Sequence, residues 1–351
     1  MLNSILAFLL GLLVTFISTP LVKKMALTIG AVDMPNQRRL NSKPVPNLGG
    51  IAIYLGFVIS VLLFSPAGSL LTGILLGGTV ILLTGIIDDL RELPPFVKLL
   101  GQITAASILI LYGVRVEFIT NPFGGMFYLG FWGIPLTILW IVGITNTLNL
   151  IDGLDGLASG VATIASLTLF FVGLQEGQVY APILSLALAG SALGFLKYNF
   201  NPAEIYMGDT GAMFLGYILA AVSAAGALKS AAAVTIIVPL LALGVPIFDT
   251  VFAIIRRICN GKPIGEADNG HIHHRLLALG MDQRQAVMTV YGVSFFLGLV
   301  ALVINSSNFY DAIIVFFMVV VALVYGAWKL GIFSVEIPGE GVNPTSSKEM
   351  G

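Results

Sequence analysis

The sequence predicts an all-α polytopic membrane protein, and three observations carry that prediction. Of 351 residues only 17 are Lys or Arg and 18 are Asp or Glu, while 57% are hydrophobic. A soluble chain is about a quarter charged, so this one lacks the charge to cover a water-facing surface. Apolar residues also come in runs of the ~20 that a helix needs to cross ~30 Å of hydrocarbon. Finally, the basic residues gather on one side of those runs. Together these exclude a soluble globular domain, a disordered chain and a secreted disulfide scaffold. The single cysteine, Cys259, has no partner for an internal disulfide. A net charge of −1 offers no basic footprint to nucleic acid.

Taken in order, the runs predict about eleven transmembrane helices, near 3–22, 49–65, 69–87, 97–114, 134–150, 157–174, 180–196, 211–228, 231–255, 286–304 and 311–330. The period-2 alternation of an outer-membrane barrel is absent. The first run has no small-residue cleavage site followed by a soluble domain, so it reads as a permanent anchor. With the N-terminus outside and the C-terminus cytoplasmic, fifteen of the seventeen bases lie at or near cytoplasmic ends, and only Arg115 and Lys229 lie opposite. That is the expected bias of Lys and Arg in membrane topology. The acids follow the same pattern, with only Glu117, Glu176 and Asp311 outside. The bias says little about Asp and Glu, so fifteen acids on the basic face need another cause.

Outside, the connections are tight turns, except that 114–130 alternates around Asn121-Pro122-Phe123-Gly124-Gly125 and predicts a small outer-face β-hairpin. The cytoplasmic segments 23–48, 88–96, 197–211 and 256–285 hold nearly all the unusual chemistry. Residues 332–351, rich in Gly, Pro, Ser and Glu, read as a disordered tail. No internal repeat is visible, so 1–331 reads as a single transmembrane domain.

Four constellations stand on that inner face. The first is Asp88-Asp89-Leu90-Arg91-Glu92 with Lys98 and Gln102 beyond. Acids at the C-terminal end of a helix oppose its dipole at a few tenths to ~1 kcal/mol each, so capping does not explain them. They read either as a solvated membrane-edge turn or as a metal or proton-transfer site, where adjacent carboxylates raise each other's affinity for a proton. The second runs from Asn146 to Ala158 and includes Asn149, Asp152 and Asp155. Asn146, Asn149 and Asp152 share one helical face, and amides at that depth are costly without polar partners. The Asp152-Gly153-Leu154-Asp155-Gly156 turn lets backbone approach a ligand closely.

The third constellation runs from Asn199 through Tyr206 to Asp209 and Gly211. Asp209 reads either as the N-cap of the eighth span or as a hard ligand for Mg²⁺, which takes one or two carboxylates plus substrate phosphate oxygens. Tyr206 offers a ring face for a base. The fourth is His271-Ile272-His273-His274-Arg275, which holds all three histidines, with Arg256 and Arg257 upstream. No cysteine or second histidine cluster completes a zinc site; imidazoles beside arginines suit diphosphate oxygens. Lys43 reads equally as a phosphate contact or a positive-inside residue. Asp249, an acid within the ninth span near Pro239 and Pro246, is a functional candidate or a brace for a bent helix.

Paired acids, an amide-rich helix end, a magnesium ligand and a His/Arg segment on one face suit phosphoryl transfer, which needs positioning and neutralisation of phosphate charge. A site at the membrane border pairs a lipid phosphate with a soluble diphosphate. An ion-coupled transporter fits the composition, but its acids belong near the midplane between repeated halves. A CDP-alcohol phosphotransferase would need a spaced Asp-Gly…Ala-Arg…Gly…Asp…Asp run that is missing.

By these four motifs in order, across essentially its whole length, the chain resembles the polyprenyl-phosphate N-acetylhexosamine-1-phosphate transferases. The resemblance implies transfer of a sugar 1-phosphate from a UDP-amino sugar to undecaprenyl phosphate, with release of UMP. It also implies Mg²⁺ or Mn²⁺ as cofactor, a multi-pass location in a bacterial cytoplasmic membrane with the site on the cytoplasmic face, and a homodimer. The His271-Ile272-His273-His274-Arg275-Leu276 form is similar to the UDP-GlcNAc branch, which starts O-antigen, enterobacterial common antigen or wall teichoic acid; the UDP-MurNAc-pentapeptide branch more typically has three consecutive histidines. Pro263 to His271 departs from the GlcNAc pattern around Asp268, which leaves the sugar less defined than the reaction. Carried over, Asp209 would bind Mg²⁺ with the diphosphate, and Asp88, with Asp89 beside it, would deprotonate the lipid phosphate. Asn199, Tyr206 and Asp155 would hold uridine, alongside Asn146, Asn149 and Asp152 in the substrate site. His273, His274 and Arg257, with His271 and Arg275, would meet diphosphate or sugar, and Lys43 and Lys98 the phosphates. Direct attack and a covalent aspartyl intermediate both remain open.

Overall fold

A computed structural model describes residues 1–34, 44–120, 126–227, 237–263, 270–329 and 331. The chain opens with α1 (Leu2–Ile29), which ends on a left-handed Gly30, followed by the paired two-residue strands β1 (Val32–Asp33) and β2 (Val45–Pro46). Helices α2 (Gly50–Phe64), α3 (Ser69–Arg91) and α4 (Pro95–Leu111) follow. Within 114–130, strands β3 (Phe118–Thr120) and β4 (Met126–Tyr128) pair antiparallel; their connection, with Asn121 to Gly125, lies outside the described residues. Next come α5 (Gly133–Ile151), α6 (Leu157–Gln175), α7 (Ala181–Asn199) and α8 (Gly208–Ala227). The chain continues through α9 (Ile237–Ala242), α10 (Gly244–Cys259), α11 (Ile272–Ala278), α12 (Gln283–Asn305) and α13 (Phe309–Lys329). Lys43, Lys229, Asp268 and the tail 332–351 also lie outside the described residues.

The protein is therefore helical and polytopic. Among the described residues, eight helices are long and apolar enough to cross a membrane: α1, α3, α5, α6, α7, α8, α12 and α13. Helices α2 and α4 are apolar but shorter. The run expected to cross at 231–255 is not one helix: its described part breaks at Leu243, between α9 and α10. The cause is Pro246. A proline ring collides with the carbonyl four residues before it and offers no N–H, and the residue four before Pro246 is Ala242, where α9 stops.

Hydrophobic burial does not drive helices together inside lipid, so close approach depends on small residues. Helices α1 and α7 meet through them: a Cβ on Gly194 would lie 2.5 Å from the carbonyl oxygen of Leu12, and one on Gly11 would lie 2.9 Å from that of Ala187. The same device positions the polar site. Gly85 of α3 lies against the backbone of Asp209 and Thr210 at the start of α8, with 2.6 Å from its would-be Cβ to Thr210 N. That contact brings the acidic end of α3 to the first turn of α8. Gly85→Val pushes the two helices apart and costs about 1–3 kcal/mol by overpacking; thermal unfolding in detergent should show a lowered midpoint, whereas an unchanged one would contradict the packing.

Polar groups in the spans are mostly satisfied locally. Thr19, Ser60, Thr145 and Ser191 each donate to the carbonyl four residues earlier at 2.7–2.8 Å. Asn146 makes the local bond too, to the Val142 carbonyl at 2.8 Å, and also crosses to α4: its amide donates to Gln102 Oε1 at 2.7 Å and its Oδ1 accepts from Gln102 Nε2 at 3.2 Å. This reciprocal pair is the polar partner an amide at that depth requires.

Candidate active site

The ends of α3, α5 and α8, the start of α4 and the 199–207 loop enclose a cavity of about 590 Å³. Asp88, Asp89, Lys98, Asn149, Asp152, Asp155, Asn199, Tyr206, Asp209 and His274 all line it. Residues from four motifs, spread over nearly 190 positions of sequence, thus share one wall.

Asp89 shows why α3 must end where it does. Its Oδ1 accepts from the Asp209 N–H at 2.9 Å, and its Oδ2 accepts from the Thr210 N–H at 3.1 Å and the Thr210 hydroxyl at 2.6 Å. Asn47 Nδ2 adds a fourth donor at 3.3 Å. A helix N-terminus leaves its first N–H groups without partners and favours negative charge; Asp89 supplies both the acceptor and the charge. Capping therefore does explain one of the paired acids, but the helix it caps is α8, not its own. The same geometry resolves Asp209. It sits in the first turn of α8 without being its cap, so its side chain is released into the cavity. Gly208 precedes it at φ 68°, and any Cβ there would strike Asp89 and Asn47.

Asp209 Oδ2 lies 2.6 Å from Lys98 Nζ, which is also 2.6 Å from Asp88 Oδ2. Asn149 Nδ2 donates to Asp209 Oδ1 at 3.0 Å, and the Leu93 N–H donates to Asp88 Oδ1 at 2.7 Å. One ammonium thus bridges two carboxylates from α3 and α8, and the amide of α5 holds the second from the other side.

Asp152 follows the last turn of α5 and faces the same carboxylates. Burial comes first, then the charges of Asp209, Asp89 and Asp155, and together they push its carboxyl up to about 8. The folded chain then holds this proton more tightly than the unfolded chain, whose carboxyl titrates near its usual ~4. Stability linked to it is complete below about pH 4 and is lost as pH rises to about 8. In chelator and detergent, the unfolding midpoint of the native chain should fall over that window relative to Asp152→Asn. Parallel curves would count against the crowding.

At the other end, Asp155 Oδ2 accepts from Asn201 Nδ2 and the Ala203 N–H, both at 3.0 Å. Asn199 is buried, with Oδ1 taking the Gly156 N–H at 3.1 Å and Nδ2 donating to the Ile205 carbonyl at 3.1 Å. Tyr206 is placed by backbone bonds of 2.9 Å from its N–H to the Pro46 carbonyl and from the Gly49 N–H to its own carbonyl.

The histidine segment is a short helix, α11, rather than an open loop. Asp249 seats it: Oδ1 accepts the Ile272 N–H and Oδ2 meets His271 Nδ1, each at 2.7 Å. Asp249 is thus a brace between α10 and α11. His273 is buried against Gly153. Burial and the neighbouring His274 push its imidazole down to about 3, so it is neutral at working pH. Among the described residues only His274 of the three histidines lines the cavity, and His271, His273, Arg257, Arg275 and Asn146 do not. Asn47, Asp33, Glu92 and Gln283 also line it and carried no role in the sequence reading. Asn47 had one signal, its place just before Gly49-Gly50, where backbone comes close; Gln283 had only its place after the helix-capping Asp282.

Among the described residues no group of three or more His, Cys, Asp or Glu forms a self-sufficient metal cage. Mg²⁺ does not need one, since it takes one or two carboxylates and completes its shell with water and phosphate oxygens. Among the described residues six aspartates, Glu92 and a single lysine line this cavity; with Asp89 assigned to α8, Asp155 to its loop and Asp152 holding its proton, Asp88 and Asp209, which already share the Lys98 ammonium, are the carboxylates a cation fits.

Apolar crossing helices under one carboxylate-lined cavity define a class: polytopic membrane proteins with a polar site built at the ends of their spans. The model of Glycosyl transferase family 4 matches residues 71–227. A probable undecaprenyl-phosphate N-acetylglucosaminyl 1-phosphate transferase of Bacillus subtilis is 43% identical over 323 residues, covering 92% of this chain and 90% of its own. The chain belongs to this family, the polyprenyl-phosphate N-acetylhexosamine-1-phosphate transferases. A decaprenyl-phosphate N-acetylglucosaminephosphotransferase of Mycolicibacterium smegmatis is 36% identical, covering 89% of this chain and 85% of its own. A phospho-N-acetylmuramoyl-pentapeptide-transferase of Thermoanaerobacter is 30% identical, covering 84% and 94%.

Proposed function

We propose that this chain transfers N-acetylglucosamine 1-phosphate from UDP-GlcNAc to undecaprenyl phosphate. An oxygen of the lipid phosphate attacks the phosphorus that bears the sugar, the bond from that phosphorus to UMP breaks, and undecaprenyl-diphosphate-GlcNAc and UMP result. The observation that carries this reading is the Lys98 bridge between Asp88 and Asp209 at 2.6 Å to each. It sits at the ends of apolar helices, where a lipid headgroup and a soluble nucleotide can both arrive.

Asp88 is the carboxylate available to take the proton of the lipid phosphate, because Asp89 is committed to α8. Lys98 draws phosphate charge into place and Asn149 orients Asp209. Asp155 and Tyr206 face the nucleoside, and His274, from α11, faces the diphosphate or sugar. Asp209 would hold Mg²⁺ (or Mn²⁺), which when bound supplies positive charge to offset the negative charge of substrate and carboxylates. Direct displacement is favoured over an aspartyl intermediate because Asp89 accepts four hydrogen bonds and Asp88 is held by Lys98 and Leu93.

In this reading the eight long helices, with α2, α4 and the bent α9–α10 pair, make the eleven crossings of 1–331. The N-terminus is outside, the C-terminal tail and the cavity are cytoplasmic, and the chain works as a homodimer. The lipid product starts a cell-envelope polysaccharide or teichoic acid. A donor panel tests the reaction: UMP release with undecaprenyl phosphate should be at least about tenfold faster from UDP-GlcNAc than from UDP-GalNAc or UDP-MurNAc-pentapeptide, a ratio of the size that pocket contacts produce. Release from UDP-MurNAc-pentapeptide instead would transfer the assignment to that branch.

A further inference from the structure

Gln283 is the first residue of α12 and lines the cavity on the side of Asp155. The orientation of its amide follows from a chain of hydrogen bonds. Asp155 Oδ2 accepts the Ala203 N–H at 3.0 Å, and the atom of Asn201 that lies 3.0 Å from the same oxygen is a second donor, Nδ2. That same Nδ2 lies 2.6 Å from Gln283, so the Gln283 atom facing it must be the acceptor, Oε1. Gln283 Nε2 therefore points elsewhere, and among the described residues it has no protein partner. The arrangement is held firmly: Arg284, the next residue, clamps the Asn201 carbonyl through Nε at 3.0 Å and Nη2 at 2.8 Å.

A residue that lines the cavity thus carries an amide N–H₂ not engaged by the described residues, two hydrogen bonds from Asp155 by way of Asn201. We propose that Gln283 donates from Nε2 to a carbonyl oxygen of the bound pyrimidine and thereby selects uracil over cytosine. This rests on the uridine-nucleotide reading above. At the position where uracil carries a carbonyl, cytosine carries an amino group, which is a donor. A donor facing a donor leaves both unpaired, which is how polar pockets discriminate between near-isosteres. The Asp155 carboxylate orders the relay, so the selectivity is set by the turn of the second motif acting through Asn201.

The test is calorimetric binding of UMP, CMP and UDP-GlcNAc to the full-length protein in detergent with Mg²⁺. The native chain should prefer UMP. Gln283→Ala should weaken UMP by about three- to tenfold, the size of one neutral hydrogen bond, and leave CMP unchanged. Gln283→Glu keeps the acceptor that Asn201 needs and turns the free end into an acceptor, so it should raise CMP relative to UMP. An unchanged UMP-to-CMP ratio in both variants overturns the inference. So does a loss confined to UDP-GlcNAc with UMP unaffected, which would place the amide on the sugar's acetamido group. If the native chain binds no uridine nucleotide at all, the transferase reading fails as well; if it binds UMP and only the ratio is unmoved, the transferase reading stands and Gln283 alone loses its role.

Discussion

Asp209→Asn lowers sugar-phosphate transfer by at least about a thousandfold while leaving the protein folded, as expected when a charge that offsets phosphate in the transition state is removed. The substitution keeps an oxygen for the Asn149 amide, which now reaches Oδ1 at 3.0 Å, and leaves the Asp89 bonds to the backbone of α8 intact. What it removes is the anion that faces Lys98 and, in the proposed site, Mg²⁺. Transfer measured as UMP release should also lose its response to added Mg²⁺. Metal-dependent turnover that survives the change would sink the assignment of Asp209 as the ligand. A collapse of the thermal unfolding midpoint would instead show that the carboxylate is structural.

Lys98→Met produces the second large effect, about a hundredfold to a thousandfold in transfer, the range seen when one preorganised electrostatic contact is lost. Here the physical cause is different. The ammonium lies 2.6 Å from both Asp88 and Asp209, and without it two carboxylates face each other in a partly buried space. Like charges at close range keep both from ionising, so one of the two takes up a proton and loses its function. Lys98→Arg restores the positive charge, but a planar fork does not replace a compact ammonium between two single oxygens. Partial recovery in Arg with none in Met is the expected pattern. Equal activity in Met and the native chain would show that the bridge plays no part in the reaction.

Much of the site was legible because its residues are improbable where they stand. Asp88 and Asp89 at a helix C-terminus, Asn146 and Asn149 at the end of an apolar run, and three histidines within four positions each conflict with a bland reading of their segment. What those conflicts could not show was which member of each group does what. The pair at 88 and 89 looked uniform in sequence, yet Asp89 is spent on the N-terminus of α8 and Asp88 faces Lys98. The amides at 146 and 149 share a helical face, yet one pairs with Gln102 and the other with Asp209. The histidines looked equivalent, yet His271 is tied to Asp249, His273 is sealed and neutral, and His274 reaches the cavity. Gln283 carried almost no signal, because an amide after a helix cap is ordinary until Asn201 and Asp155 orient it.

The amino-acid sequence by itself determined that this is a helical membrane protein whose polar chemistry lies at one face. Length, apolarity and charge placement are local properties, and the bilayer reads them segment by segment. The tertiary structure alone decided how the carboxylates divide their work. Asp89 and Asp209 are 120 positions apart, and no periodicity within either segment encodes their meeting. That meeting depends on Gly85 letting the backbones of α3 and α8 close and on Gly208 leaving room for the Asp89 carboxylate, so that one aspartate satisfies the helix and leaves the other free for chemistry.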